Sequence, residues 1–221
     1  MEPAAIAPYE RALRTAGPLG IRTEDGRVLD LDIARWTAQA DRSDHGVLDR
    51  CSGPVLDVGS GPGRLVEALI RRGVPALGVD IAEAAVALTR DRGVPALRRS
   101  VFDALPGEGR WPTVLLIDGN IGIGGDPARL LRRVREIVAP GGTVVVETHR
   151  DEAADERLRV RFTDAGSPVG PTFRWAHVGR AGLLRYAAQL DYSVDETWSS
   201  DGRGFVSLGR GFARSRTTEI A

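Results

Sequence analysis

Three glycines at alternate positions, Gly59, Gly61 and Gly63, follow a short apolar stretch and precede one with helical spacing. Glycine allows the backbone to turn sharply and lets a ligand approach where a Cβ would block it. Asp57 would place a carboxylate beside that ligand, which suits a positively charged group better than a pyrophosphate. The third glycine comes one residue earlier than the dinucleotide pattern G-x-G-x-x-G requires, and Arg64 occupies that place. We therefore expect a loop that binds a ligand with a cationic group.

A second acid, Asp80, ends the next apolar stretch along the chain. It follows the first glycine by 80 − 59 = 21 residues, close to the roughly 20 residues at which an acid accepts the hydroxyls of a bound ribose. An aspartate there could instead cap the next helix. We favour ribose binding because the glycine loop precedes it.

Residues 118–127 form a second glycine-rich segment, with the polar side chains Asp118 and Asn120 at its start. The segment follows the most apolar predicted strand, so we expect it to approach the ligand; a plain flexible connection is the alternative. His149 follows the next strand and is the candidate general base, because a neutral imidazole can take a proton from a hydroxyl. A solvated loop histidine is the alternative there.

Several other side chains are weaker candidates. Trp36 and Trp175 could line or cover a pocket, although single tryptophans more often anchor packing. His45 and His177 are interpreted as structural residues. Residues 150–161 mix both charge signs, and we expect a solvated helix there rather than an acid-binding patch. No metal site is predicted.

Apolar stretches and breakers alternate in the middle of the chain and predict the elements that position these residues. Short continuous β-branched stretches separated by helical patterns indicate a parallel sheet covered on both faces. The predicted strands and helices are residues 55–58, 76–79, 97–102, 113–117 and 143–148 for the strands, and residues 64–72, 82–90, 127–138 and 181–190 for the helices. Two further strands, residues 192–198 and 205–208, come next without a helix between them, which predicts a hairpin at the end of the sheet.

The sequence pattern of the first fifty residues differs from that of the middle of the chain. Residues 4–15 have a helical pattern, residues 24–26 suggest the turn of a small hairpin, and residues 31–51 are mostly helical by pattern. No linker-like stretch separates this region from the first predicted strand of the sheet. We therefore predict three parts: an N-terminal cap of residues 1–50, a ligand-binding domain of residues 51–211 and a loose polar tail of residues 212–221.

Composition narrows the possible chemistry. The 221 residues carry 30 basic and 30 acidic side chains, and this zero net charge argues against capture of nucleic acid or an anionic membrane. Every basic residue is arginine, which excludes enzymes that need a lysine in a Schiff base or a phosphate loop. No apolar stretch reaches the roughly 20 residues of a membrane-spanning helix. The single cysteine, Cys51, cannot form an internal disulfide, and we expect a cytoplasmic protein.

Together these residues resemble the class I S-adenosylmethionine-dependent methyltransferases. Residues 57–63 match the family's acid-x-G-x-G-x-G motif, Asp80 matches its acidic end of the second strand, and residues 137–144 match its helix end followed by P-G-G and a strand. The resemblance covers about residues 47–208. It implies an α/β fold with a Rossmann-like, doubly wound sheet of seven strands in the order 3-2-1-4-5-7-6. The last strand would be antiparallel, and a helical and hairpin cap would precede the sheet.

The resemblance also implies roles for individual residues. Asp57 would face the methionine ammonium of S-adenosylmethionine, Asp80 would bind its ribose, and Ile81 would pack on its adenine. In many relatives an acid after the third strand holds the adenine amino group, and in this sequence Ser100 stands at that place. The remaining predicted cofactor contacts are Gly59, Ser60, Gly61, Gly63, Val101, Phe102, Asp118 and Gly119, and the predicted catalytic residues are His149 and Asn120.

We expect a methyltransferase that uses S-adenosylmethionine on an oxygen or nitrogen atom of a small molecule, because zero net charge and a short cap favour a compact pocket. No nucleic acid or membrane partner is predicted. Two alternatives stay open. One is a module of the same fold that binds the cofactor without catalysis or without methylating. The other, less favoured, is a nicotinamide-dependent reductase, against which the early third glycine argues.

Overall fold

The computed structural model describes residues 3–211. Its helices are α1 (Pro3–Thr15), α2 (Ile33–Thr37), α3 (Arg42–Leu48), α4 (Arg64–Arg71), α5 (Glu83–Asp91), α6 (Pro127–Ile137) and α7 (Arg180–Gln189). Its strands are β1 (Leu19–Thr23), β2 (Val28–Leu31), β3 (Val55–Val58), β4 (Ala76–Asp80), β5 (Ala96–Arg98), β6 (Trp111–Leu116), β7 (Val138–Thr148), β8 (Asp155–Asp164), β9 (Ser167–Val178), β10 (Tyr192–Ser200) and β11 (Arg203–Arg210). A 3₁₀ segment, Asn120–Gly125, follows β6. Within residues 3–211 no helix is long and apolar enough to cross a membrane.

The larger sheet contains seven strands. Their order is β5-β4-β3-β6-β7-β11-β10, which corresponds to 3-2-1-4-5-7-6 when the strands of this sheet are numbered along the chain. β3 pairs in parallel with β4 and β6, whereas β11 pairs antiparallel with both β7 and β10. The predicted strand order, the antiparallel last strand and the closing hairpin are therefore confirmed.

Both faces of the larger sheet are covered, as its continuous apolar strands predict. Val114 and Leu116 of β6 lie in the cluster that packs α6 and α7, whereas Leu115 lies in the cluster that packs α3 and α4. All three side chains are fully buried. Burial of each such side chain contributes about 1.5–3 kcal/mol, so the central strands are firmly held. The carboxyl ends of β3, β4, β6 and β7 consequently meet at one edge of the sheet, where ligands bind in folds of this kind.

A second, antiparallel sheet has the order β2-β1-β8-β9 and combines strands from two distant parts of the chain. The predicted small hairpin is confirmed as β1 and β2, and β1 also pairs with β8. The helix expected for residues 150–161 is wrong, because most of that segment belongs to β8. Exposed Arg159 and Arg161 alternate with buried Val160 and Phe162, and the mixed charges concealed this period of two.

One apolar cluster packs α1 against the second sheet and the start of α5. Ile6 and Leu13 of α1 share it with Ile21 of β1. Trp36 and Trp175 lie at its margin, half-buried, so both tryptophans contribute to packing beside the N-terminal helix. The predicted polar tail, residues 212–221, lies outside the described residues.

Cys51 stands between the end of α3 and the start of β3. Its thiol is half-buried, and its Sγ lies 3.5 Å from the carbonyl oxygen of Val47. Burial raises the pKa of this thiol to about 12, with the negative charge of Asp57 as the second cause. The thiol therefore stays protonated at neutral pH.

Candidate active site

The glycine loop turns the chain from β3 into α4. Gly59 and Ser60 both donate their backbone N–H to the carbonyl oxygen of Val79 in β4, at 2.8 and 3.1 Å. The φ angles of Gly59, Gly61 and Gly63 are +71°, +53° and +81°, in the left-handed region that residues with a Cβ rarely adopt. The loop is therefore held against the neighbouring strand in a conformation that depends on glycine.

Asn120 covers the start of this loop. Its carboxamide donates to the carbonyl oxygens of Val58 and Gly59, at 2.9 and 3.0 Å. A Cβ on Gly59 would lie only 2.7 Å from Nδ2 of Asn120, so the missing side chain is what admits the amide. The structure thus places Asn120 directly on the loop.

Tyr9 covers the middle of the loop and was not among the residues predicted for the site. Its hydroxyl lies 3.3 Å from the position that a Cβ on Gly61 would occupy. Burial raises the pKa of Tyr9, and the negative charges of Asp80 and Asp118 act in the same direction. Its ring meets Trp36 edge-on, with 6.1 Å between ring centroids. Nothing in the sequence distinguishes Tyr9 from an ordinary packing residue of an N-terminal helix.

Asp57 lies beside the loop and is only 2% exposed. Its Oδ2 has no hydrogen-bond partner within the described residues, and the same is true of Oγ of Ser60. Burial raises the pKa of the Asp57 carboxyl to about 7, although the positive charge of Arg64 acts in the opposite direction. A buried carboxylate oxygen without a partner is rare in native proteins, and it suits a cationic ligand.

Asp80 connects the glycine loop to the start of α5. Its Oδ2 accepts the backbone N–H of Gly61 at 2.9 Å, and its Oδ1 accepts that of Ala82 at 2.8 Å. Burial raises the pKa of this carboxyl, while its backbone hydrogen bonds act in the opposite direction. Each oxygen keeps a lone pair for a ligand, so the contact at the helix start and the predicted ribose contact are compatible. Ile81 follows at the margin of the cluster around α1 and α5.

Three of the predicted cofactor contacts, Ser100, Val101 and Phe102, follow β5. Oγ of Ser100 accepts the backbone N–H of Phe102 at 3.2 Å, so this serine forms a local turn. Val101 is buried in the main core. The ring of Phe102 is half-buried, and the guanidinium of Arg129 lies 4.5 Å from its centroid. Phe102 is therefore the more exposed apolar side chain at this end of the sheet.

An ion-pair network that was not predicted lies next to the loop. It joins three arginines to four acids, namely Arg35, Arg64, Arg203, Asp41, Asp44, Asp118 and Glu147. Arg64 lies 2.8 Å from Asp44 and 2.6 Å from Asp118. Burial of Asp44 would raise the pKa of its carboxyl, but the hydrogen bonds and charges of the three guanidinium groups lower it far below its usual range. The only sequence signal was Arg64, directly after the third glycine.

Asp118 and Gly119 form a tight turn at the centre of this network. Their φ angles are +56° and +78°, and the backbone N–H of Asp118 donates to Oε2 of Glu147 at 2.7 Å. Oδ1 of Asp118 accepts from Nη1 of Arg35 at 2.7 Å. The carboxylate predicted to lie beside the ligand is thus held by arginines, in a strained turn that those contacts stabilise.

A cavity of about 210 Å³ lies beside this turn. Asn120 contacts the loop, whereas its neighbours Gly119 and Ile121 line the cavity. The cavity is also lined by side chains at the ends of β7 and β9 and the start of β11, which include Glu147, His149, His177 and Arg203. His149 was predicted for the site. His177, interpreted from the sequence as structural, faces the same cavity.

A family model described as a methyltransferase domain matches residues 21–193. This chain belongs to that methyltransferase family. The match extends from the N-terminal hairpin to β10 and includes the glycine loop, the two motif acids Asp57 and Asp80, and His149. The family and enzyme class predicted from the sequence are therefore confirmed, and they argue against the nicotinamide-dependent reductase.

Similar proteins agree with this family. The ubiquinone biosynthesis O-methyltransferase of Pseudomonas paraeruginosa (strain DSM 24068 / PA7) is 34% identical over 103 residues, which cover 42% of this chain and 43% of that protein. The chain thus spans less than half of the length of this curated relative. A methyltransferase from Bacteroides fragilis, solved with S-adenosyl-L-homocysteine, superposes with a TM-score of 0.80 at 19% identity, over 96% of this chain and 98% of that chain.

A second solved structure shares the fold at lower similarity. It is the 1,6-didemethyltoxoflavin-N1-methyltransferase of Burkholderia thailandensis, with a TM-score of 0.59 at 16% identity. The superposition covers 80% of this chain and 81% of that chain.

S-adenosylmethionine is the cofactor of this family, and the residues around the glycine loop fit it. The unpartnered oxygen of Asp57 is buried where a cation would satisfy it. The three loop glycines allow a ligand to approach the backbone, and Asp80 retains acceptor capacity beside them. The predicted cofactor therefore agrees with both the family and the local geometry.

Proposed function

We propose that this methyltransferase transfers the methyl group of S-adenosylmethionine to an oxygen or nitrogen atom of a small molecule. The observation that carries the proposal is that one turn connects the glycine loop with the cavity. Asn120 contacts the loop, and Gly119 and Ile121 line the cavity. When bound, S-adenosylmethionine supplies a methyl group on a positively charged sulfur, which is open to attack by an electron pair of the acceptor.

The residues of the loop would hold the cofactor as the resemblance implies. Asp57 would meet its ammonium, residues 59–63 would line the methionine and ribose, and Asp80 would accept from the ribose hydroxyls. Ile81 and Phe102 would contact the adenine. Asn120 would position the reacting groups, and enclosure of the site would exclude water, which together account for much of the rate of a methyl transfer.

A small acceptor is supported by the size of the cavity. An empty apolar cavity of about 150 Å³ can hold benzene, so about 210 Å³ is room for one substituted ring. The similar proteins carry the names of an O-methyltransferase of ubiquinone biosynthesis and an N1-methyltransferase of 1,6-didemethyltoxoflavin. Zero net charge argues against broad electrostatic capture of nucleic acid or an anionic membrane, and a single cysteine supports a cytoplasmic location.

Calorimetry with S-adenosylmethionine tests the cofactor site. We expect Asp80→Ala to weaken binding at least tenfold, because it removes the predicted ribose acceptor and releases the N–H groups of Gly61 and Ala82. Asp91→Ala is the matched control, since Asp91 is exposed at the end of α5. Equal binding by the Asp80 variant, or no binding by the unaltered protein, would contradict the assignment.

Methyl transfer is tested separately with labelled S-adenosylmethionine and a panel of phenols, alcohols and amines. Appearance of label in any of these acceptors supports the proposal. Tight cofactor binding with no transfer to any acceptor would favour the module that binds the cofactor without methylating.

A further inference from the structure

Two histidines meet over the cavity, and this inference rests on the function proposed above. The rings of His149 and His177 are stacked, with 4.8 Å between centroids and 19° between planes. The ends of their strands are joined, because the backbone N–H of His149 donates to the carbonyl oxygen of Val178 at 2.8 Å and His149 bridges to Gly179. Both rings line the cavity. The contacts between the two strands therefore hold the two rings together at the cavity.

The hydrogen bonds of His149 determine which of its nitrogens carries the proton. The backbone N–H of Asp151 donates to Nδ1 of His149 at 3.1 Å. Nδ1 must therefore carry a lone pair, and the neutral ring has its hydrogen on Nε2. In this arrangement Nε2 of His149 is a donor and does not accept a proton.

The surroundings of His177 favour the opposite tautomer. Its Nδ1 lies 3.7 Å from Oε2 of Glu156, and a carboxylate at that side favours a hydrogen on Nδ1. Arg27 fixes this carboxylate through two contacts of 3.2 Å. The lone pair of neutral His177 is then on Nε2. Within the described residues, Nε2 of neither ring has a protein hydrogen-bond partner.

Burial is the main reason why the ring of His177 stays neutral. Burial lowers the pKa of His177, and the proximity of His149 and Arg27 lowers it further, while Glu156 acts in the opposite direction. The titratable and charged groups that face it or share its cavity are Glu156 on β8, Arg27 before β2, His149 and Glu147 on or after β7, Arg150 and Arg203. Neutral His177 can therefore accept a proton at pH 7.

We propose that His177 is the general base and that His149 donates from Nε2 to the oxygen of a phenolic hydroxyl. The hydroxyl proton moves to Nε2 of His177, and the electron pair of the broken O–H bond stays on the oxygen. A hydroxyl both donates and accepts, so it satisfies the two rings together. An alkylammonium has only donors and leaves the N–H of His149 without a partner. The pKa of a phenol, about 10, is close enough to that of an imidazole for proton transfer. An aliphatic alcohol is too weak an acid for the same transfer.

The tautomers are tested directly by ¹⁵N NMR of the imidazole rings. The chain has three histidines, and His45 provides an internal reference away from the cavity. We expect neutral His149 to carry its hydrogen on Nε2 and neutral His177 to carry its hydrogen on Nδ1. Glu156→Gln should shift His177 toward the other tautomer. If unaltered His177 carries its hydrogen on Nε2, the proposal is overturned, whatever the cofactor experiments show.

The acceptor class is tested with 4-nitrophenol, whose phenol and phenolate forms differ in colour, and with 4-nitrobenzylamine as the ring-matched amine. In the presence of S-adenosylhomocysteine we expect 4-nitrophenol to bind, with a change of absorbance that reports binding, and the amine to bind at least tenfold more weakly. Equal binding of the two, or no binding of the phenol to protein that binds S-adenosylhomocysteine, would overturn the proposal and leave the proposed function standing.

The role of each ring is tested by substitution. We expect His177→Asn to lower kcat for methylation of unsubstituted phenol by about 10²–10⁴-fold, the range of a lost general base, while affinity for S-adenosylmethionine is unchanged. His45→Asn should retain full activity. The kcat/KM of the unaltered protein should fall as decreasing pH protonates His177, whose pKa lies below 6.5. His177→Asn should lack this decrease at acidic pH. If His177→Asn keeps both the kcat of the unaltered protein and its decrease in kcat/KM at acidic pH, then another residue is the base.

Discussion

At the scale of single residues, the Asp57 carboxyl has opposite effects on stability and on binding. Its pKa in the folded protein, about 7, lies above the ordinary 3.8, so the folded state binds this proton more tightly than the unfolded state. Its contribution to stability is therefore full below about pH 4 and is lost as pH rises toward 7. Above pH 7 the buried negative charge destabilises the free protein.

We therefore predict that Asp57→Asn raises the free energy of unfolding at pH 8, by up to about 4 kcal/mol, and leaves it nearly unchanged at pH 4. The same substitution should weaken binding of S-adenosylmethionine at least tenfold at pH 8, because the cation loses its counter-charge. Urea unfolding and calorimetry at the two pH values measure both effects. A loss of stability at pH 8 would mean that the protein already satisfies this carboxylate.

At the scale of elements, the glycine loop depends on how closely Asn120 approaches it. A Cβ on Gly59 would lie 2.7 to 2.9 Å from three side-chain atoms of Asn120, in addition to the strain of φ at +71°. We predict that Gly59→Ala lowers the free energy of unfolding by about 2–5 kcal/mol, the sum of overpacking and of a left-handed alanine. Urea unfolding measures the loss.

The two causes can be separated with a matched glycine. Gly26 has φ of +90° with no atom within 4 Å of its would-be Cβ, so Gly26→Ala should lose only the conformational part, about 1–2 kcal/mol. Adding Asn120→Gly to Gly59→Ala should recover the packing part, which a double-mutant cycle isolates. Additive effects of the two substitutions would show that the amide and the loop are independent.

Much of the fold could be predicted because its signals are local. Continuous β-branched stretches identify buried parallel strands, and Pro127 and Gly73 mark a helix start and a helix end. β8 was misjudged because outward arginines occupy every second position, and the mixture of charges hides that alternation. Site residues next to motifs, such as Asp57, were predictable. The pairing of Arg203 with Asp44, 159 residues apart, and the role of His177 depend on tertiary contacts that no local pattern encodes.

At the scale of the whole molecule, the ion-pair network joins the N-terminal region to the larger sheet. Asp44 is fully buried and contacts Arg35, Arg64 and Arg203, from α2, α4 and β11. We predict that Asp44→Asn lowers the free energy of unfolding by about 3–5 kcal/mol at pH 7, because it removes the buried charge that three guanidinium groups share. Asp49→Asn, at an exposed pair with Arg72, should change stability by less than about 1 kcal/mol.

The pH dependence of this difference arises from the lowered pKa of Asp44. A carboxyl whose pKa is lower in the folded state stabilises above its unfolded pKa of about 3.8, and that contribution is lost as pH falls further. The difference in free energy of unfolding between Asp44→Asn and the unaltered protein should therefore be constant from pH 7 to pH 5 and decrease below about pH 4. Urea midpoints across this range measure it, and a gap that widens in acid would contradict the assignment.

Because of the position of Cys51, the rate at which its thiol is alkylated would report how often the molecule opens there. The thiol lies at the junction between the N-terminal helices and the first strand of the larger sheet, and its pKa of about 12 leaves almost no thiolate in the closed form at neutral pH. Iodoacetamide reacts with the thiolate, so alkylation would proceed mainly from molecules in which this junction has come apart. Because the chain has no second cysteine, the mass of one added group reports that event alone. The alkylation rate with and without S-adenosylhomocysteine would then show whether ligand binding holds the two parts together.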